Sequence, residues 1–169
     1  MIFLLFGITI LILLLDQLTK YFAFEAGQPV VLINKVVEIV QTENDGIAFG
    51  IGGGFEYGYI LWSILALLTV SFLFFFYVKY TARRLIDTLA LAMIAGGALG
   101  NLVDRLITGG KVRDFIQLSF IRWPAFNLAD AAIVVGVILM VFAIAFDHAE
   151  LAPNAKSDGP VDLTPPDTP

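Results

Sequence analysis

Four apolar stretches, each long enough to cross a lipid bilayer, constrain the fold of this chain more than any other feature. A transmembrane helix needs about 20 apolar residues, and such stretches lie at residues 2–24, 58–78, 85–104 and 126–146. Hydrophobic residues make up 59% of the 169-residue chain, which is more apolar surface than one small globular domain can bury away from water. The sequence therefore predicts an all-α membrane protein with four transmembrane helices.

The composition excludes several kinds of chemistry. The formal net charge of -5 provides no excess of basic residues to neutralise phosphates, so nucleic acid is not an expected partner. The chain has no cysteine, which excludes disulfides and thiolate nucleophiles. The single histidine, His148, predicts neither a metal centre nor a Ser-His pair. We therefore expect no metal and no cofactor.

The connections between the helices contain strand-like segments. Within residues 25–57, the runs 29–33 and 36–41 are rich in β-branched residues and predict a small β-structured element between helices 1 and 2. Residues 50–54, with four glycines, predict a flexible turn. Residues 112–123 partly alternate in hydropathy, which favours a further strand.

The two ends of the chain are interpreted differently. The first stretch could be a cleaved signal peptide, but no basic residue precedes it and no small-x-small cleavage site follows it, so we interpret it as a retained helix. Residues 147–169 hold five of the seven prolines and predict a disordered acidic tail. Residues 1–146 are then predicted to form a single membrane domain.

The short connection between helices 2 and 3 indicates the orientation in the membrane. Residues 79–84 include Lys79, Arg83 and Arg84, and basic residues in short loops favour the cytoplasmic side. Both termini and the tail are then cytoplasmic. The longer connection 104–125 also carries basic residues, which favours the opposite orientation, although some of them could serve a function instead.

Polar residues within the apolar stretches gather at one end of the predicted bundle. A charge inside a membrane segment costs about 2.5–3.5 kcal/mol on insertion scales, so it persists mainly where it faces protein or water. These residues lie at the C-terminal ends of helices 1 and 3 and the N-terminal end of helix 4. They are Asp16, Thr19, Lys20, Asn101, Asp104, Arg105, Asn127 and Asp130. Because consecutive helices alternate in direction, we expect them on one side of the membrane, together with Asn44 and Asp114 from the connections.

Each of these residues also has a purely structural interpretation. Asp16 and Lys20 share a helix face and could form an interfacial ion pair. Asp104 and Arg105 could anchor a helix end, and Asn127 could be an N-cap.

Carboxylates are the reactive groups that remain, namely Asp16, Asp104, Asp114 and Asp130. Two neighbouring carboxylates can share one proton, so that one acts as a base and the other as an acid. Such a pair can activate water and protonate a peptide carbonyl. The same carboxylates could carry protons or cations through a transporter, and a noncatalytic scaffold subunit is a third possibility. The residue types alone leave this choice open.

Five motifs, taken together, resemble those of lipoprotein signal peptidase, also called signal peptidase II, of bacterial cytoplasmic membranes. The resemblance covers about residues 1–146, and the motifs occur in the order of that family. They are DQLTK at 16–20, NDGIAFG at 44–50, GNLVDR at 100–105, VRDF at 112–115 and FNLAD at 126–130.

The resemblance implies roles for ten residues of the motifs. It implies that Asp114 and Asp130 are the catalytic dyad of an aspartyl endopeptidase. Further residues would line or support the site as substrate-binding or supporting groups. They are Asp16, Lys20, Asn44, Gly46, Asn101, Asp104, Arg105 and Asn127.

The resemblance also implies a substrate and a location. The substrate is a diacylglyceryl-prolipoprotein, cut just before its lipidated cysteine, and the cyclic peptide globomycin is the expected inhibitor. The protein would be a multi-pass protein of the bacterial inner membrane, in contact with membrane lipid. Its active site would lie near the outer face. We expect a monomer.

Overall fold

A computed structural model describes residues 1–27, 29–46, 57–80 and 84–151. This part of the chain contains four long helices. They are α1 (Ile2–Glu25), α2 (Gly58–Tyr80), α3 (Leu85–Ile107) and α4 (Leu128–Leu151). Each is long and apolar enough to cross a membrane, which confirms the predicted four-helix architecture of a multi-pass membrane protein. The predicted turn at 50–54 and the tail from residue 152 onwards lie outside the described residues.

The helices differ from the predicted stretches mainly at their ends. α3 continues to Ile107 and α4 begins at Leu128. α4 also continues through residues 147–151, which the sequence had assigned to the tail. An apolar run marks the part of a helix that lies in hydrocarbon, whereas the helix itself can continue into the polar interface beyond it.

A three-stranded antiparallel sheet joins the two long connections. Its strands are β1 (Val30–Ile33), β2 (Val37–Asn44) and β3 (Val112–Leu118), in the order β1-β2-β3. β1 and β2 form the predicted element between α1 and α2, and β3 comes from the connection between α3 and α4. Asn44 pairs with Val112 and Thr42 with Asp114, so the sheet brings the Asn44 and Asp114 motifs together.

α3 is the central helix and packs against α1, α2 and α4. Half of its most apolar window is buried, compared with none of the corresponding window of α2. Small residues permit this packing. A Cβ atom on Gly96 would lie 2.9 Å from the Thr9 carbonyl oxygen of α1, and one on Gly136 of α4 would lie 2.8 Å from the Ala90 carbonyl oxygen of α3.

The outward faces of the other helices are apolar. Phe3 and Leu14 of α1, Phe72 of α2 and Val141 of α4 are all more than half exposed. Contiguous exposed apolar surface of this extent is typical of a membrane-facing protein. These faces therefore contact lipid chains, and the polar residues must be sought inside the bundle.

Candidate active site

The polar residues singled out in the sequence meet at one end of the helices, beside the sheet. Their side chains are removed from solvent although many are charged. Asp16, Lys20, Asp104 and Asn127 are fully buried, and Asp114 is 3% exposed. A buried charge is tolerated only when it is paired and hydrogen-bonded, so each of these groups needs partners.

Lys20 is the centre of the buried charge network. Its Nζ lies 2.8 Å from Asp16 Oδ2 and 3.0 Å from Asp104 Oδ2, and it donates to Asn101 Oδ1 at 3.0 Å. An ammonium group has three N–H donors, and these three acceptors use all of them. Asp16 and Lys20 therefore form a buried pair that joins α1 to α3, in contrast to an exposed interfacial pair.

Asp16 also stabilises the start of α4. Its Oδ1 accepts the Ala129 backbone N–H at 2.9 Å, and a carboxylate at a helix N-terminus is favoured by the helix dipole. Gly100 makes room for this carboxylate, because a Cβ atom there would lie 2.6 Å from Asp16 Oδ2. One side chain of α1 thus determines how α3 and α4 approach each other.

Asn127 and Asp130 form a reciprocal cap at the N-terminus of α4. Asn127 Oδ1 accepts the Asp130 backbone N–H at 2.9 Å, and Asp130 Oδ2 accepts the Asn127 backbone N–H at 3.2 Å. This is the pattern of a capping box, and it confirms the N-cap interpretation of Asn127. The same side chain also reaches the second candidate carboxyl, since Asn127 Nδ2 donates to Asp114 Oδ1 at 2.6 Å.

Asn101 links the lysine network to Asp130. Its Nδ2 donates to Asp130 Oδ1 at 2.8 Å. Its Oδ1 accepts from Lys20 Nζ and, at 3.1 Å, from Asn127 Nδ2. Two donors on the oxygen fix the orientation of the amide, so its N–H is directed at Asp130.

Asp114 lies on β3, outside the membrane-spanning segments. It accepts hydrogen bonds from Asn127 and, at 3.3 Å, from Asn44 Nδ2. Burial raises the pKa of the Asp114 carboxyl to about 7, and the nearby charge of Asp130 acts in the same direction. The hydrogen bonds and the Lys20 charge oppose this rise.

Arg105 connects α3 to the turn that follows β2. Its Nη2 donates to the Gly46 carbonyl oxygen at 2.9 Å, and Gly46 N–H donates to Asn44 Oδ1 at 2.9 Å. The second contact is a side chain–backbone turn of the kind that asparagine favours. Arg105, Asn44 and Gly46 are therefore brought together beside Asp114, as their motifs suggest.

A cavity of about 590 Å³ opens beside the two candidate carboxyls. Its polar lining consists of Asn44, Gly46, Asn101, Arg105, Asp114 and Asp130. The remaining lining is apolar and comes from β3, from α4 and from the segment between them. Those residues include Leu118, Trp123, Pro124, Phe126, Ala131, Ile133, Val134 and Val135. The cavity thus has reactive groups in one part and a lipid-like lining in the rest.

Two residues of this network were missed in the sequence. Arg113 Nη2 lies 2.7 Å from Asp104 Oδ1, and it also donates to Gln17 Oε1 at 3.1 Å. Both residues stand inside the motifs, directly before Asp114 and directly after Asp16, and that adjacency was the available signal. Thr19, by contrast, donates to the Leu15 carbonyl oxygen of its own helix.

Comparisons with known proteins agree with the motifs. A family model described as signal peptidase (SPase) II matches residues 8–146. A lipoprotein signal peptidase of Thermodesulfovibrio yellowstonii is 43% identical over 78% of this chain and 88% of its own length. One of Halothermothrix orenii is 36% identical over 79% and 90%. A solved bacterial membrane enzyme structure, determined by the in meso method at 2.3 Å, is 29% identical, with a TM-score of 0.79 over 93% of each chain.

Proposed function

Since this chain belongs to the signal peptidase II family, which removes signal peptides from prolipoproteins, we propose that it does so as an aspartic endopeptidase. It would cut diacylglyceryl-prolipoproteins just before the lipidated cysteine. The observation that carries the proposal is that Asp114 and Asp130 line one cavity and both accept hydrogen bonds from Asn127, Asp114 from its side-chain amide and Asp130 from its backbone N–H. Two carboxyls held in this way suit the sharing of one proton.

Charge balance supports a singly protonated pair. Among the described residues, the charged side chains that belong to this hydrogen-bonded cluster, buried or partly buried, are four aspartates and three basic residues. They are Asp16, Asp104, Asp114, Asp130, Lys20, Arg105 and Arg113. Full ionisation would leave one net negative charge in a poorly solvated region, which is unfavourable. One proton on the Asp114–Asp130 pair makes the cluster neutral.

The mechanism follows from this protonation state. We assign Asp130 the role of the base, which takes a proton from a water molecule whose oxygen attacks the scissile carbonyl carbon. Asp114 gives its proton to the carbonyl oxygen, so the tetrahedral intermediate forms without free charge. The carbon–nitrogen bond then breaks as Asp130 passes its proton to the leaving amine, and Asp114 recovers a proton from the hydroxyl group.

The cavity wall supports a substrate that remains in the bilayer. Val134 and Val135 line the cavity and are also 57% and 44% exposed on the outer face of α4. Apolar residues that belong both to the cavity and to the lipid-facing surface offer an entry for acyl chains from the side. A diacylglyceryl group can then remain in hydrocarbon while the peptide reaches the carboxyls.

The proposal includes a location and a topology. The protein would lie in the bacterial inner membrane as a monomer, with both termini and the acidic tail in the cytoplasm. The sheet and the carboxyls would then lie near the outer face, where the cavity would bind prolipoprotein or globomycin.

Cleavage in detergent tests the proposal. The purified full chain is incubated with a diacylglyceryl-peptide in the absence of an ion gradient, and the released fragment is identified by its mass. We expect cleavage just before the lipidated cysteine and its inhibition by globomycin. A proton or cation carrier would leave the peptide intact, and that result would refute the peptidase.

A further inference from the structure

Arg113 makes an unusually complete set of contacts with a residue of another element. Its backbone N–H donates to Asp104 Oδ2 at 2.8 Å, and its Nε and Nη2 donate to Asp104 Oδ1 at 3.2 and 2.7 Å. Nη2 also reaches Gln17 Oε1. One arginine thereby ties β3 to both α1 and α3.

Asp104 is a rigid anchor for these contacts. It is fully buried, and Lys20 and Gln17 also donate to its oxygens. A carboxylate held by several donors has little freedom to move. Whatever binds to Asp104 through two or more bonds is therefore fixed relative to α1 and α3.

The edge of β3 that faces away from β2 is held on both sides of Asp114. On one side, Arg113 N–H binds Asp104 and the Arg113 carbonyl oxygen accepts Asn127 Nδ2 at 3.4 Å. On the other side, Phe115 N–H binds the Phe126 carbonyl oxygen at 3.0 Å.

The sheet constrains Asp114 unevenly. The pairing of β2 with β3 is regular from Asp114 to Val112, but it shifts register on the other side, between Ile39 and Thr42, and Thr42 is the residue opposite Asp114. A register shift of this kind interrupts the ladder of hydrogen bonds. Contacts from outside the sheet therefore add to what the sheet alone provides in placing Asp114.

We propose that Arg113 is a positioning residue, which holds β3 against Asp104 and Gln17 and so keeps Asp114 at the right place beside Asp130. The inference rests on the proposed aspartic mechanism. The forked guanidinium suits this role, because it binds two acceptors in fixed directions, whereas a lysine ammonium is a flexible point charge. Arg113 itself touches no reacting atom.

Three variants test the inference in the full-length enzyme. Arg113→Met removes the fork and the charge, and Arg113→Lys removes the fork and keeps the charge. Lys111→Met is the matched control, since Lys111 is a basic residue on the same connection whose pair with Glu43 is about half exposed. For each variant, kcat and KM for a diacylglyceryl-peptide are measured across pH, and folding is checked by thermal unfolding.

The pH profile separates positioning from a merely structural role. The charged groups that face Asp114 are Asp130 of α4, Lys20 of α1 and Arg105 of α3. If β3 is released, Asp114 moves away from Asp130 and towards water. Burial and the Asp130 charge are the largest influences on the pKa of the Asp114 carboxyl and both raise it, so their loss outweighs the loss of the hydrogen bonds and of the Lys20 charge. The pKa then falls, and the alkaline limb of the kcat profile moves to lower pH. Partial unfolding would lower kcat by the same factor at every pH, and the pH values at which the two limbs fall would stay the same.

We expect Arg113→Met to lower kcat about tenfold or more with KM changed less than about threefold, as for a group that matters in the transition state. Its alkaline limb should move to lower pH, with Arg113→Lys intermediate and Lys111→Met like wild type. A pH profile whose limbs do not move would overturn the inference. A shift of the alkaline limb to higher pH would also overturn it, because it indicates an effect of charge alone.

If Arg113→Met does not fold, the limbs of the Arg113→Lys profile decide by the same criterion. A wild-type enzyme that does not cleave would refute the proposed function, and this inference with it.

Discussion

Asn127 and Asp130 bind each other twice, each through its backbone N–H and the other's side-chain oxygen, at 3.2 and 2.9 Å. The contacts that begin α4 are therefore the contacts that orient a candidate catalytic carboxyl. Because Asn127 Nδ2 also donates to Asp114, helix initiation and the geometry of the dyad depend on one side chain. The effect of Asn127 on stability can be separated from its effect on turnover by comparing substitutions that keep the helix cap with substitutions that remove it.

Asn127→Ser and Asn127→Ala make that separation. Serine is a good N-cap and alanine is not, and loss of a cap costs about 1 kcal/mol of stability. Neither residue can reach Asp114 with an amide. Both variants lose the buried amide donor to Asp114, so both should unfold below wild type. We expect Asn127→Ala to unfold at a lower temperature than Asn127→Ser, with cleavage strongly reduced in both. Activity retained by Asn127→Ser would show that the contact with Asp114 is dispensable.

Asp114→Asn and Asp130→Asn test the dyad directly. Each keeps its size and loses its titrating group, so each should lose nearly all cleavage while still binding globomycin. The double variant should be little worse than either single one, since residues that act as a unit fail together. Single-turnover cleavage is the measurement. If Asp130→Asn keeps more than about a tenth of wild-type cleavage, a barrier change below about 1.4 kcal/mol, the dyad assignment is wrong. Asp104→Asn is the comparison variant, with a milder loss expected.

Removing one partner of the buried pair between Asp16 and Lys20 should destabilise the protein. An unpaired buried charge costs about 3–5 kcal/mol, so Asp16→Asn and Lys20→Met should each lower the unfolding temperature markedly. The double variant should lose less than the sum of the two. The recovery should be incomplete, because Lys20 also pairs with Asp104. Strict additivity in thermal unfolding would contradict the pairing.

Stability should fall as the pH rises through about 7, owing to Asp114. The pKa of its carboxyl is raised in the folded protein to about 7 from 3.8, so the folded state binds the proton more tightly than the unfolded state. The stabilisation is complete below pH 3.8 and is lost as the pH approaches 7. Asp114→Asn removes this dependence. The unfolding temperatures of both proteins are measured between pH 5 and 8.5. The unfolding temperature of wild type should fall more steeply with pH than that of Asp114→Asn. Parallel curves for the two proteins would contradict the assignment.

Introduced cysteines test the topology against a background free of native thiols. Cysteines at Asn34 and Gln117, near the sheet, should react with an impermeant thiol reagent added outside intact cells. A cysteine at Thr81, which lies outside the described residues, should not react until the cells are opened. Labelling of Thr81→Cys in intact cells would reverse the proposed orientation.

The sequence predicts the helices well, because a run of about 20 apolar residues has few alternatives to a membrane helix. It also predicts that Asp16, Lys20 and Asn101 gather at one end, since alternating helix directions require it. It does not predict that Asp16 binds the N–H of Ala129 or that Arg113 binds Asp104. The first contact joins segments far apart in the chain, and the second depends on where β3 lies relative to α3. Neither contact produces a periodic pattern in the sequence. The choice of Asp114 as the partner of Asp130 came from family resemblance alone.

α2 contributes less to the buried interior of the bundle than α3 does. None of its most apolar window is buried, and its specific contacts lie near its two ends, where Tyr77 binds Thr88 at 2.8 Å and Tyr59 packs on Gly110. The middle of α2 therefore needs only to be apolar and helical, whereas Gly96, Gly97 and Gly100 of α3 leave no room for a larger side chain unless their neighbours move. Exchanges of one apolar residue for another in the middle of α2 should therefore adapt this helix to a thicker or thinner bilayer without disturbing the candidate active site.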